Sequence, residues 1–261
     1  MSYTVNASIL LTELPLRERP AAVADAGFDA VEFWWPFAEA VPAADEVDAF
    51  VSAIQDAGVQ LTGLNFFAGD MPSGDRGLVS WVGREDEFRA NVDVVVSIGQ
   101  RLGTKAFNAL YGNRQDDVDP QEQDDLAVQN LAHAGSAVAA IGGVVLLEPV
   151  SGMDAYPLKT AADALAIIQR VRDEHGVDNV RLLADFYHLA VNGDDVAAVI
   201  ADHAAEFGHV QIADAPGRGE PGSGELPLTA WIDAARTGGY AGPVGLEYKA
   251  AGDDAFAWLG R

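Results

Sequence analysis

Four oxygen-bearing side chains each stand at the end of a short apolar run in the second half of the chain. They are Glu148 in VVLLEPV, Asp185 in RLLADFYH, Gln211 in HVQIADA and Glu247 in VGLEYKA. If these runs are parallel strands of one barrel, their carboxyl ends converge on the face where active sites of that fold lie. The pattern therefore predicts four oxygen donors around one point.

Three carboxylates at one point repel one another unless a cation accompanies them or one of them takes up a proton. Because all four donors are oxygens, with no Cys or His among them, they favour Mg²⁺ or Mn²⁺ over a structural zinc ion. Such cations prefer about six ligands, which leaves positions for two substrate oxygens. We expect a divalent metal centre that binds two oxygens of a small substrate. Gln211 is the weakest member, because a strand-end amide could instead bond only to the backbone.

Three further side chains near these positions are candidates for substrate contacts. His188 follows Asp185 by three residues, where its imidazole could hydrogen-bond a substrate hydroxyl or orient a ligand. Arg218, in DAPGRGEPGSGE, could hold a substrate carboxylate with its planar guanidinium. Lys249 lies two residues beyond Glu247 and could steady that carboxylate or the substrate anion. Each of the three could instead be an ordinary packed or surface residue that makes no contact with substrate.

The elements that must position these residues alternate along the whole chain. Short apolar runs alternate with Ala-rich segments of helical period, which is typical of βαβ units and a parallel sheet. The predicted strands are 4–9, 29–33, 59–65, 105–110, 143–148, 180–185, 209–213 and 243–247. The predicted helices are 15–26, 43–57, 85–102, 120–141, 160–174, 195–205 and 227–237. Gly27, Gly58 and Gly103 are predicted C-caps.

Seven strand–helix units leading into an eighth strand predict an α/β fold, the (β/α)8 or TIM barrel, as a single domain over residues 1–261. Few residues follow the last strand, so we expect the last helix to be short or missing. The Gly- and Pro-rich stretch 215–224 is predicted to be a βα loop. An open doubly wound sheet is the alternative, but no Gly-x-Gly-x-x-Gly follows the first strand to support its dinucleotide-binding form.

Composition disfavours several classes of function. The net charge is −24, from 40 acidic and 16 basic residues, and such a surface repels nucleic acid and anionic membranes. The chain has no cysteine, which rules out disulfides and thiolate chemistry. It has neither a signal-peptide pattern nor an apolar run near eighteen residues, so we expect a cytoplasmic protein without a membrane partner. The sequence leaves the formation of a homo-oligomer open.

Longer motifs spread over almost the whole chain resemble those of one family. They are ERPAAVADAGFDAVEFWWPF, GLVSWVGRE, LLEPV, ADFYHLA, HVQIADAPGRGEPGSGE and GLEYK. Together they are similar to hydroxypyruvate isomerases and the related 2-oxo-tetronate isomerases, within the xylose-isomerase-like barrels. The resemblance implies a divalent cation bound by Glu148, Asp185, Gln211 and Glu247, with the two glutamates also transferring protons. It implies isomerisation of hydroxypyruvate to tartronate semialdehyde, an aldose–ketose type reaction through an enediolate.

Two positions depart from the pattern of that family and leave the substrate open. Gly219 stands where relatives commonly carry His, and Met153 stands near a position where many carry Arg. A 2-oxo-tetronate isomerase or a keto-sugar 3-epimerase would use the same carboxylates, and a metal-mediated hydride shift is a second route to the isomerised product. From other classes, a metal-dependent endonuclease and a protein that only binds a sugar acid remain as alternatives. The acidic charge disfavours the endonuclease.

Overall fold

Eight parallel strands close into a barrel in the computed structural model, which describes residues 2–252 and 254–260. The strands are β1 (Tyr3–Asn6), β2 (Ala30–Phe33), β3 (Gln60–Asn65), β4 (Ala106–Asn108), β5 (Val144–Leu147), β6 (Val180–Asp185), β7 (Phe207–Ile212) and β8 (Val244–Leu246). Each strand pairs in parallel with the next, and β8 pairs with β1. The predicted (β/α)8 barrel is therefore confirmed.

The helices follow the strands along the chain and pack against their neighbours. They are α1 (Arg19–Asp25), α2 (Ala44–Ala57), α3 (Glu85–Leu102), α4 (Pro120–Ala139), α5 (Ala161–His175), α6 (Phe186–Val191), α7 (Val196–His203) and α8 (Leu228–Thr237). The short helix α6 was not predicted. After β8 the described residues form a single 3₁₀ turn, Ala257–Leu259, so the expectation of a short or missing last helix is confirmed.

The hydrophobic core lies between the barrel and its helices because their apolar faces match. Helix α2 buries Val47, Phe50, Val51 and Ile54, which lie on one side at helical spacing. Strand β5 reads VVLL and is apolar on both faces, as expected for a strand that is covered inside and outside the barrel. In the part of the chain that the structure describes, no helix is long and apolar enough to cross a membrane.

The barrel places the four predicted metal ligands at one end. Asp185 is the last residue of β6, and Gln211 is the last but one of β7. These two residues are register partners on adjacent strands. Glu148 and Glu247 are the first residues after β5 and β8. All four therefore project from the carboxyl ends of four consecutive strands.

Candidate metal centre

The two carboxylate oxygens of Asp185 have different surroundings: one stabilises the fold and the other is available to the site. Oδ1 caps α6 by accepting the backbone N–H groups of Tyr187 at 2.8 Å and His188 at 3.1 Å. Oδ2 is buried and has no hydrogen-bond partner among the described residues. A buried acceptor without a partner is unfavourable, so this oxygen is free to bind a cation.

Gln211 offers the second free oxygen, on the neighbouring strand. Its amide Nε2 donates to Glu32 Oε1 at 2.7 Å and to Glu247 Oε2 at 2.6 Å. Its Oε1 is buried and, within the described chain, accepts no hydrogen bond. Two unpaired, buried oxygens on paired strands fit an oxygen-preferring cation such as Mg²⁺ or Mn²⁺.

Glu148 is held from both its side chain and its backbone. Its Oε2 accepts a hydrogen bond from Asn108 Nδ2 at 2.7 Å. Its carbonyl accepts from the Tyr156 hydroxyl at 2.9 Å, and that hydroxyl in turn accepts the backbone N–H of Tyr111. Burial raises the pKa of Glu148 well above the usual range, and the nearby carboxylates of Glu247 and Asp185 raise it further.

Glu247, just after β8, lies near the other carboxylates. Its Oε2 accepts from Asn6 Nδ2 at 2.8 Å as well as from Gln211, and its Oε1 contacts the Arg218 guanidinium. Burial raises the pKa of Glu247, and Arg218 partly offsets that rise. Full ionisation of this cluster needs positive charge beyond one arginine, which a divalent cation would supply.

His188 lies beside the carboxylates, at the start of α6. Its Nε2 is 3.9 Å from Glu148 Oε1 and 3.8 Å from Asp185 Oδ2. Its Nδ1 accepts the backbone N–H of Ser151 at 3.1 Å, which leaves the proton of the neutral ring on Nε2. Burial lowers the pKa of His188 to about 4, so the ring is uncharged near neutral pH. We interpret it as a hydrogen-bond donor into the site, although Glu148, Asp185 and His188 also offer ligand atoms within 4.8 Å of one another.

Arg218 reaches the site from the predicted βα loop. Asp214 and Gly219 pair through their backbones, and Arg218 sits in this tight turn with a left-handed φ of 58°. Its Nη2 contacts Glu247 and lies 3.8 Å from Asp185 Oδ2. Part of the guanidinium is therefore committed to the carboxylates rather than free for a substrate anion.

Lys249 is not brought to the site. Its side chain is exposed and does not line the cavity described below. Only its backbone contributes, since its N–H donates to the Arg218 carbonyl at 2.7 Å. The contact between the Lys249 ammonium and the substrate stays a prediction that this arrangement does not favour, because the strand ends before Lys249 and its side chain is exposed.

A cavity of about 1390 Å³ opens above these residues. Of the four predicted ligands, Glu148 and Glu247 line it, together with His188 and Arg218. Asp185 and Gln211 lie deeper and are not part of the wall. The lining also includes four aromatic side chains, which are Trp34, Trp35, Phe37 and Phe67. Two glutamates in the cavity lining are thus accessible to a bound substrate.

Sequence reasoning missed the polar residues on the first half of the barrel. Asn6, Glu32 and Asn108 are buried, and each bonds to one of the four predicted ligands. All three lie in or at the end of apolar strands, the same signal that marked the late strands. Their partners are 40 to 241 residues away, so only barrel closure shows the contacts.

A family model described as a xylose isomerase-like TIM barrel matches residues 20–260. The chain belongs to that family. Within the xylose isomerase-like barrels, a Streptomyces coelicolor protein provisionally named hydroxypyruvate isomerase is 53% identical over 265 residues, covering 98% of this chain and 95% of that protein. The 2-oxo-tetronate isomerase of Cupriavidus necator is 34% identical over 261 residues, covering 98% and 96%.

A solved structure of this xylose isomerase-like fold is also similar along the full chain. It is named an AP endonuclease of family 2 from Brucella melitensis, and it is 29% identical with a TM-score of 0.88. The match covers 99% of this chain and 98% of that one. Both sequence and fold therefore agree over the whole barrel.

Proposed function

We propose that this protein is an isomerase that depends on a divalent metal ion and interconverts hydroxypyruvate and tartronate semialdehyde. The proposal rests on one observation. Two of the four strand-end residues, Glu148 and Glu247, line the cavity. Two carboxylates that face a substrate from different strands are suited to moving a proton between adjacent carbons. The 53% identity to a protein provisionally named hydroxypyruvate isomerase supports this substrate.

The residues that would hold the cation are Glu148, Asp185, Gln211 and Glu247. Asp185 Oδ2 and Gln211 Oε1 are the free oxygens, and the two glutamates complete the set. When bound, Mg²⁺ or Mn²⁺ supplies stabilisation of the negative charge that develops on the carbonyl and hydroxyl oxygens of the substrate.

The glutamates perform the proton transfers. One carboxylate removes a proton from the hydroxymethyl carbon of hydroxypyruvate, which gives an enediolate. A carboxylate then returns a proton to the neighbouring carbon, while the hydroxyl proton passes to the former carbonyl oxygen, so atoms and charge balance. Burial favours this chemistry because it raises the pKa of both carboxyl groups, and a carboxylate with a raised pKa is a stronger base.

Two other cavity residues are proposed to contact the substrate. The Nε2–H of His188 would donate to a substrate oxygen, since it points towards Glu148 and Asp185 without a close acceptor. Arg218 would face the carboxylate of the substrate with Nη1, the one guanidinium nitrogen that does not contact Glu247.

A 2-oxo-tetronate is the second candidate substrate. The cavity of about 1390 Å³ has room for a four-carbon acid as well as for a three-carbon acid. Met153 lines it where the resemblance led us to expect an arginine nearby, which alters the contacts available to the distal end of a substrate. The 34% identity to the Cupriavidus necator 2-oxo-tetronate isomerase favours the same alternative.

The test is to incubate the Mg²⁺-loaded protein with hydroxypyruvate, 2-oxo-tetronate and a set of ketoses, and to follow product formation with and without a chelator. We expect aldehyde from hydroxypyruvate, loss of activity with chelator, and loss with Glu247→Gln. The matched control is Glu122→Gln, because Glu122 is exposed on α4. Turnover that survives chelation, or a fully active Glu247→Gln enzyme, would contradict the proposal.

A further inference from the structure

Glu32 is a buried carboxylate that the proposed chemistry does not use. It lies on β2 with 3% of its surface exposed and is not part of the described cavity wall. Gly245 on β8 makes room for it, since a Cβ there would lie 2.8 Å from Glu32 Oε1 and 2.7 Å from Gln211 Cγ. The barrel interior is thus shaped to hold this carboxylate against Gln211.

Three side chains donate hydrogen bonds to Glu32. His209 Nε2 lies 2.7 Å from Oε2, and Gln211 Nε2 and Asn6 Nδ2 lie 2.7 and 3.2 Å from Oε1. Both amides also donate to Glu247 Oε2, at 2.6 Å for Gln211 and 2.8 Å for Asn6. Each amide nitrogen therefore donates to two carboxylates. One is Glu32, outside the predicted ligand set, and the other is Glu247, within it.

This bridge determines which way the Gln211 amide points. Its two hydrogens are both taken by carboxylates, and a flipped amide would place its carbonyl oxygen 2.6 to 2.7 Å from two anionic oxygens. The carbonyl oxygen is consequently directed away from Glu32 and Glu247. It is this oxygen, Oε1, that is buried without a hydrogen-bond partner in the described residues.

We propose that Glu32 is a positioning residue for the metal centre, which fixes the Gln211 amide so that Oε1 is presented to the cation. His209 holds Glu32 in turn through the 2.7 Å contact. The inference rests on the proposed metal centre, and it assigns Glu32 no contact with substrate or cation. Its effect is carried through the side chain of Gln211.

The rival explanation is that Glu32 acts through its negative charge alone. Two variants separate the two effects. Glu32→Gln removes the charge but keeps an oxygen that can accept from Gln211, while its new amide can donate to His209 in the other ring tautomer. Glu32→Asp keeps the charge but withdraws the carboxylate by one carbon–carbon bond, about 1.5 Å, so it no longer reaches Gln211.

The experiment is a titration of each folded protein with Mn²⁺, in which free Mn²⁺ is measured by electron paramagnetic resonance. We expect Glu32→Asp to weaken Mn²⁺ binding by roughly tenfold or more and Glu32→Gln to stay within about threefold of wild type. Thr4→Val is the matched control. Thr4 on β1 is buried like Glu32, but its hydroxyl bonds to the Thr62 hydroxyl at 2.6 Å and takes no part in the hydrogen bonds to Glu32. Its affinity should equal that of wild type.

The outcomes separate this inference from the proposed function. Weaker binding in Glu32→Gln than in Glu32→Asp would show that charge dominates, and unchanged binding in both would show that Glu32 positions nothing; either result overturns the inference. A wild-type protein that binds no Mn²⁺ would instead overturn the metal centre itself.

A second measurement applies if Glu32→Asp does not fold. In the metal-free wild-type protein labelled with ¹⁵N, the side-chain amide of Gln211 should exchange slowly with water, because both its hydrogens are donated to buried carboxylates. The Gln211→Met spectrum identifies the resonance. Rapid exchange of this amide in wild type would overturn the proposed orientation.

Discussion

Asp185 and His188 contact each other twice at the junction of β6 and α6. The backbone N–H of His188 donates to Asp185 Oδ1 at 3.1 Å, and the His188 Nε2 lies 3.8 Å from Asp185 Oδ2. One oxygen of this carboxylate therefore starts the helix that carries the histidine, and the other is free for the proposed metal centre. Structural and binding roles of Asp185 can be separated by substitution.

Asp185→Asn should bind Mn²⁺ at least about tenfold more weakly while remaining as stable as wild type. Asparagine caps a helix as well as aspartate does, and loss of the Asp185 charge reduces repulsion with the neighbouring buried carboxyl groups. Asp185→Ala should lose the cap as well, at about 1 kcal/mol of unfolding free energy relative to Asp185→Asn. Urea unfolding and Mn²⁺ titration check both. Equal stability of the two variants would show that the cap contributes nothing.

Gln211 and His188 should respond differently to substitution, because we place only Gln211 among the ligands. Gln211→Met should weaken Mn²⁺ binding by about tenfold or more. His188→Leu should leave Mn²⁺ affinity near that of wild type but reduce kcat/KM for hydroxypyruvate, since a hydrogen bond to substrate is lost. The opposite pattern would place His188 in the ligand set with Glu148 and Asp185, which lie close enough for it.

Cation binding should release protons near neutral pH. Burial raises the pKa of Glu148 and Glu247, so the metal-free protein retains carboxyl protons that free carboxylates would have lost. The cation requires the ionised forms, and its affinity should therefore rise as pH increases from 6 to 8. Calorimetry at constant pH in buffers of different ionisation enthalpy measures the protons released. A flat pH dependence with no release would contradict the raised pKa values.

Turnover in ²H₂O should place solvent deuterium on carbon in the product. A carboxylate base that removes a carbon-bound proton can exchange it before returning it, whereas a hydride shift moves hydrogen directly between carbons. Mass spectrometry of the product distinguishes the two routes. Complete absence of carbon-bound deuterium would favour the hydride shift and remove the role of base from both glutamates.

The barrel could be predicted because its signal is local. The strand at 180–185 and the helix at 85–102 were placed without error, since each is a periodic run with clear ends. Helix α6 was missed because six residues, FYHLAV, are too few to show a helical period. Strand 4–9 was predicted too long, since the apolar residues after Asn6 continue into a turn.

Among the site residues, the sequence pointed to those that stand at or just after the end of an apolar strand. Asn6 and Glu247 are 241 residues apart, and they meet because β8 closes the barrel against β1. No spacing in the sequence signals that contact or the role of Glu32. Conversely, the two-residue spacing from Glu247 to Lys249 predicts a shared face only while the strand continues, and β8 ends at Leu246.

Diffraction from crystals soaked in Mn²⁺, recorded at a wavelength where manganese scatters anomalously, tests the central claim most directly. We predict one strong anomalous peak roughly 2 Å from oxygens of Glu148, Asp185, Gln211 and Glu247. No peak at this position, or a peak bonded to His188 and remote from Gln211, would contradict the metal centre described here.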